Sequence, residues 1–112
     1  MLGQKSDQLH HVAISVDDLE NAINWYTSNF SCQIYYQDRQ HAFLAFNESL
    51  LELVLPSFQP AHLAFTRKDA NLLGELTEVV PGIKSTFISD SSGNLVEIVA
   101  PPGNFATQFP NR

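Results

Sequence analysis

Apolar and polar positions alternate from His11 to Val16, so His11, Ala13 and Ser15 share one face and Val12, Ile14 and Val16 the other. A period of two predicts a strand. After Asp18, the residues Leu19, Ala22, Ile23, Tyr26 and Phe30 recur at steps of three and four, the apolar stripe of a helix. Asp18 stands at its N-cap as an acceptor for first-turn amides. Three more strand-like runs follow, Cys32 to Gln37, His41 to Phe46 and Ser49 to Leu55, parted by polar turns at Asp38 and Asn47-Glu48.

The pattern then begins again. His11-Val-Ala-Ile-Ser-Val-Asp-Asp18 is matched by His62-Leu-Ala-Phe-Thr-Arg-Lys-Asp69 at an offset of 51, and Leu50-Leu-Glu-Leu-Val-Leu-Pro56 by Leu95-Val-Glu-Ile-Val-Ala-Pro101 at an offset of 45, so six residues are missing inside the second copy. His62 to Phe65 predicts a strand, Asp69 a second N-cap, and Leu72, Leu73, Leu76 and Val79 or Val80 a weaker helix whose propensity Gly74 lowers. Pro81-Gly82 breaks the chain, and Ser85 to Ser89 and Asn94 to Val99 form a hairpin around Asp90-Ser-Ser-Gly93. The expected fold is α+β, two βαβββ-type modules over about 8–56 and about 60–101 within one domain. The second module is abbreviated, and the missing residues are expected to remove or truncate one of its strands. The proline-containing tail, 102–112, is expected to be irregular or an arm onto a partner.

Two copies of a unit that cannot bury its own sheet face should pack about a pseudo-two-fold axis, where matched residues converge. The matched polar residues are His11 with His62 and Glu52 with Glu97, each among apolar strand neighbours where an unpaired imidazole or carboxylate would be costly. Two imidazoles and two carboxylates make a mixed donor set suited to Mn, Fe, Co, Ni or Zn, with positions left open for water or substrate. His10 and His41 lack a repeat counterpart and read as structural or surface residues. Trp25, Tyr26 and Phe30 read as helix packing, and Phe43, Phe65 and Phe87 as core or pocket wall.

Composition narrows the partners. The 112 residues, 44% of them apolar, suffice for one core. With a net charge of -6 and the basic residues Lys5, Arg39, Arg67, Lys68, Lys84 and Arg112 scattered, neither nucleic acid nor an anionic membrane is an expected ligand. Small molecules or proteins remain. No apolar run approaches the roughly 18 residues of a membrane span, and the polar stretch Met1 to Leu9 is unlike a signal, so a cytoplasmic location is expected. The single Cys32 excludes an internal disulfide and a multi-cysteine zinc site, and reads as a small strand residue.

The run Leu9-His-His-Val-Ala-Ile-Ser-Val-Asp-Asp-Leu-Glu-Asn-Ala-Ile-Asn-Trp-Tyr26 resembles the opening of vicinal oxygen chelate proteins, a superfamily that includes glyoxalase I, fosfomycin and bleomycin resistance proteins, extradiol dioxygenases and methylmalonyl-CoA epimerase. Their ending is similar to Asp90-Ser-Ser-Gly-Asn-Leu-Val-Glu-Ile98, with Ser91 where the family usually has proline. The resemblance spans roughly residues 9–101. It implies a curved mixed sheet around a central site, with metal ligands on the first and last strands of each module, here His11, Glu52, His62 and Glu97. This set is similar to that of glyoxalase I, where the metal chelates vicinal oxygens of a small substrate and stabilises an enediolate while a carboxylate moves the proton. Carried over, Glu52 and Glu97 become the candidate catalytic bases. An extradiol-type iron dioxygenase would need only His11, His62 and Glu97, and Glu52 argues against it. A metal-free small-molecule binding protein, similar to bleomycin resistance proteins, is the alternative from another class. Recognition of glutathione would fall to Arg39, Arg67 or an arm of a second subunit, and the resemblance implies a homodimer.

Overall fold

The computed structural model describes residues 7–47 and 49–103. Its elements are β1 (Gln8–Ser15), α1 (Leu19–Asn29), β2 (Gln33–Gln37), β3 (His41–Ala45), β4 (Leu50–Val54), β5 (His62–Thr66), β6 (Thr77–Val80), β7 (Ile83–Ser89) and β8 (Leu95–Val99). All eight strands form one mixed sheet in the order β2-β3-β4-β1-β5-β8-β7-β6. Read from the centre outward, the two halves have the same order, as two like modules require. The sheet curls until its opposite edges meet, because Tyr36 of β2 and Val80 of β6 share one buried cluster with Phe43, Ala64, Ile83 and Val99.

The seam between modules is the antiparallel pair β1 and β5, with His11 opposite Ala64, Val12 opposite Leu63, and Ala13 opposite His62. A local two-fold axis therefore passes through the Val12–Leu63 pair. Parallel pairing on either side puts Glu52 of β4 next to Ala13 and Glu97 of β8 next to Ala64. The expected α+β fold and curved mixed sheet are thus present.

Helix α1 covers the convex face of the first half. Its Leu19 and Ile23 are buried against Ala42, Leu44 and Leu53, and the Asn21 amide donates to Asp18 Oδ1 at 3.0 Å, the predicted cap. Of the aromatic stripe, Tyr26 is half-buried, while Trp25 and Phe30 are 55% and 49% exposed, their rings resting on each other and on Tyr26 rather than in the core. Cys32 is half-buried and precedes β2 by one residue.

The second module departs from expectation in an informative way. All four of its strands are present, and the missing residues come out of the helix, of which only a 3-10 turn at Ala70–Leu72 remains. Asp69 does not cap it through its side chain; its carboxylate instead accepts two hydrogen bonds from the Arg67 guanidinium, both 2.9 Å. The physical reason is length and composition. The stretch after Thr66 must return in time for β6, and Thr77, Val79 and Val80 favour a strand. Leu72, placed by periodicity on an apolar helix face, is 76% exposed. The shortened link lies directly on β7: a Cβ at Gly74 would come 2.4 Å from Thr86 Oγ1, so glycine permits the close approach. Pro81-Gly82 forms the β6–β7 turn, with Gly82 at φ 86°. Glu48 and the tail beyond Gly103 lie outside the described residues.

Candidate metal centre

Strand register builds the site from two equivalent rows on the concave face. One runs Phe43, Glu52, Ala13, His62 across β3, β4, β1 and β5; the other runs Phe87, Glu97, Ala64, His11 across β7, β8, β5 and β1. Each row reads phenylalanine, glutamate, alanine, histidine. The alanines, at most 2% exposed, keep the centre narrow enough for the longer side chains on both sides to converge over them. Each phenylalanine stands edge-on to a histidine, Phe43 to His11 at 4.9 Å between centroids and Phe87 to His62 at 5.4 Å.

All four sequence-predicted site residues come together within one chain, and all are buried. His11 Nε2 lies 3.2 Å from Glu52 Oε1, 3.2 Å from Glu97 Oε1 and 3.4 Å from His62 Nε2. His62 Nε2 lies 3.1 Å from Glu97 Oε1 and 3.5 Å from Glu52 Oε1. Donors bonded at about 2.1 Å to one cation lie roughly 3.0 to 3.4 Å apart at right-angled to tetrahedral corners, so these spacings fit a shared divalent ion.

The far polar atom of each of the four side chains is engaged elsewhere. His62 Nδ1 donates to the Pro60 carbonyl at 2.8 Å, which leaves Nε2 free of a proton when the ring is neutral. His11 Nδ1 meets His10 Nδ1 at 2.7 Å, and His10 Nε2 donates to the Gly103 carbonyl at 2.8 Å. With its proton fixed there, neutral His10 accepts from His11 at Nδ1, and His11 Nε2 again faces inward as a lone pair. Glu52 Oε2 accepts from His41 Nδ1 at 2.5 Å and Glu97 Oε2 from Ser85 Oγ at 2.6 Å, leaving Oε1 of each for the centre. The donor set, its spacing and its outer partners together fit a metal.

Without a metal, the same groups hold protons and charge. Burial pushes His62 down, but hydrogen bonds to Glu52 and Glu97 outweigh it and raise its pKa to about 10. His11 is raised against burial by the same two carboxylates. Burial would raise Glu97, yet hydrogen bonds from His11 and His62 bring it down to about 2. Glu52 lies well below the usual carboxylate range, burial being overcome by His11, His41 and His62.

Two histidines read as structural or surface residues prove to be part of this network. A register shift between Leu9 and His11 inserts His10 as a bulge, which turns its ring toward His11 and Gly103. His41 is 2% exposed, against Glu52. Adjacent His10-His11 and the alternation of His41 with Phe43 were the available signals. The cavity beside the site, lined in part by His41, Gln59, Val80 and Ile83, is only about 10 Å³. That is room for about one water.

No family model matches the sequence, and no curated protein sequence is significantly similar to it. Solved structures are similar in fold. A hypothetical protein from Bacillus halodurans superposes with a TM-score of 0.70 at 18% identity, covering 91% of this chain and 99% of that one. A variant methylmalonyl-CoA epimerase of Streptomyces coelicolor, in complex with 2-nitronate-propionyl-CoA, gives 0.65 at 18% identity over 90% and 99% of the two chains. A glyoxalase/bleomycin resistance protein/dioxygenase superfamily member from Vibrio splendidus gives 0.62 at 11% identity over 85% and 99%. At these identities the likeness establishes the fold.

Proposed function

We propose that this chain, built on the vicinal oxygen chelate fold, is a divalent-metal-dependent lyase or isomerase of glyoxalase type acting on a small substrate with neighbouring oxygens. One observation carries the reading: His11 Nε2, Glu52 Oε1, His62 Nε2 and Glu97 Oε1 converge while the other polar atom of each is held outward. A bound ion of Ni, Co, Zn, Mn or Fe would supply Lewis acidity to substrate oxygens. The chain's own part is to orient those oxygens and to move a proton at the adjacent carbon, for which the Glu52 and Glu97 carboxylates are the groups in place. The buried apolar residues Phe43, Val80 and Ile83 exclude water around them.

The reading takes a small-molecule substrate, a homodimer and the cytoplasm as its setting. A dimer is supported by Leu63 of β5, 43% exposed, and Leu72 of the 3-10 turn, 76% exposed, both in the module that lacks a full helix. Sedimentation analysis tests it. A metal-free binding protein is the second reading, because the four groups also satisfy one another as imidazole–carboxylate pairs at 3.1 to 3.5 Å. Elemental analysis of the purified protein and its His62→Ala variant, grown with each metal, separates the two. Stoichiometric metal in the parent and loss in the variant is expected; no metal under any supply would sink the enzyme reading. Turnover of methylglyoxal with glutathione, set against catechol cleavage, then distinguishes isomerase from dioxygenase chemistry.

A further inference from the structure

The two halves of the site match residue for residue until the outer partner of each carboxylate is reached. His41 of β3 pairs with Val54, two positions from the Phe43–Glu52 pair; Ser85 of β7 pairs with Val99, two positions from the Phe87–Glu97 pair. His41 and Ser85 are therefore the same position in the two modules. Both side chains donate to Oε2 of their glutamate, His41 at 2.5 Å and Ser85 at 2.6 Å. What differs is the group and how firmly it is held. The Ser85 hydroxyl rotates about one bond. The His41 ring is packed against Phe58, Tyr36 and Phe43, with centroids 4.6, 5.6 and 5.6 Å away. Among the described residues its Nε2 makes no hydrogen bond, although Asp38 Oδ2 lies 3.2 Å away, because the geometry between them is off-line. Nδ1 to Glu52 is thus the hydrogen bond that the ring makes.

We infer that His41 is a positioning residue for Glu52, fixing which oxygen faces the cation and making Glu52 the more firmly held of the two carboxylate ligands. The inference rests on the metal-centre reading above. A ligating carboxylate free to rotate must be ordered when the ion binds; one pinned through Oε2 presents Oε1 already aimed. The aromatic cage supplies the pinning to His41, whereas the Ser85 hydroxyl turns about a single bond.

The test measures the dissociation constant of the full chain for Zn2+ and Co2+, by competition with a chromophoric chelator, in His41→Leu, His41→Asn and Ser85→Ala. Circular dichroism and the unfolding midpoint of each metal-free variant separate folding from binding. Losing the His41 donor is expected to weaken binding on the order of 10- to 100-fold. His41→Asn, whose amide N–H can reach the place of Nδ1, is expected to restore affinity to within a few-fold. Ser85→Ala is expected to cost less than His41→Leu. Equal losses in the leucine and asparagine variants would show that the hydrogen bond is not what His41 contributes, and would overturn the inference. So would a folded His41→Leu protein that binds as tightly as the parent, or a Ser85→Ala loss as large as that of His41→Leu. If the parent itself binds neither ion, the metal reading fails, an outcome distinct from these.

Discussion

His11 and His62 face each other nitrogen to nitrogen, Nε2 to Nε2 at 3.4 Å, with Glu52 Oε1 and Glu97 Oε1 each within 3.5 Å of both. In the metal-free protein, protons on these rings serve the carboxylates. A cation at the centre must displace them. With His62 raised to about 10, its ring holds a proton at pH 7, and His11 is raised in the same direction, so metal binding is expected to release protons. Each released proton improves the apparent affinity about tenfold per pH unit. Calorimetric titration with Zn2+ in buffers of different ionisation enthalpy counts them. A buffer-independent heat would mean that no proton leaves the imidazoles, and would contradict displacement of the His62 proton by the ion.

The same protons give the metal-free protein a pH optimum of stability. His62 is raised, so its contribution is complete below about 6.5 and is lost as pH climbs toward 10. Glu97 is lowered, so its contribution is complete above about 4.5 and is lost as pH falls toward 2, and Glu52 acts in the same direction. The urea midpoint in the presence of a chelator is expected to be highest between about pH 4.5 and 6.5, falling on both sides. In the metal-loaded protein the rings are neutral ligands, and the decline above pH 6.5 is expected to disappear. A chelated protein with no alkaline decline would contradict the pairing.

Ile83 and Val80 bring the second module's edge over the site, where they join Tyr36 and Phe43. Ile83→Ala is expected to cost about 2–5 kcal/mol by removing buried methyl groups. It should also speed extraction of bound metal by a small chelator such as dipicolinate. The conservative Ile83→Val, costing about 0.5–1.5 kcal/mol, should change extraction little. Equal extraction rates in parent and alanine variant would show that these side chains do not limit access.

Gly74 is the point at which the abbreviated link touches β7. Gly74→Ala is expected to destabilise the fold by about 1–3 kcal/mol through overpacking against Thr86. In a Thr86→Ala background the same change is expected to cost clearly less, since the clashing hydroxyl and methyl are gone. Additive losses in the double variant would place the strain elsewhere.

Much of this architecture is legible in the sequence because the first module marks its elements by a capped helical stripe, one alternating strand and apolar runs between polar turns. Asp18 caps where a cap is needed, Leu19 and Ile23 face the core, alternation marks β1, and the strand-like runs between polar turns fall on β2, β3 and β4. The second module misleads where a leucine-rich run at helical spacing is too short to hold a helix and still return to β6. Leu72 supplied the period and then faces solvent. The four central residues were legible because identical side chains recur in identical strand contexts. Their outer partners were not, for two physical reasons. Histidine and serine can donate the same hydrogen bond while sharing no resemblance, so the equivalence of His41 and Ser85 appears only in the ladder. His10 owes its position to a bulge, which strand alternation does not foresee.

The seam at Val12–Leu63 joins both halves of the site in a single polypeptide. In an assembly of two identical half-length chains, every substitution would appear on both sides of the axis, and neither carboxylate could acquire a neighbour the other lacked. Covalent joining lifts that constraint. One half can keep a full helix while the other gives it up, and a histidine can stand behind one glutamate while a serine stands behind its twin. Two carboxylates set alike about one rotation axis are thereby free to take on different duties.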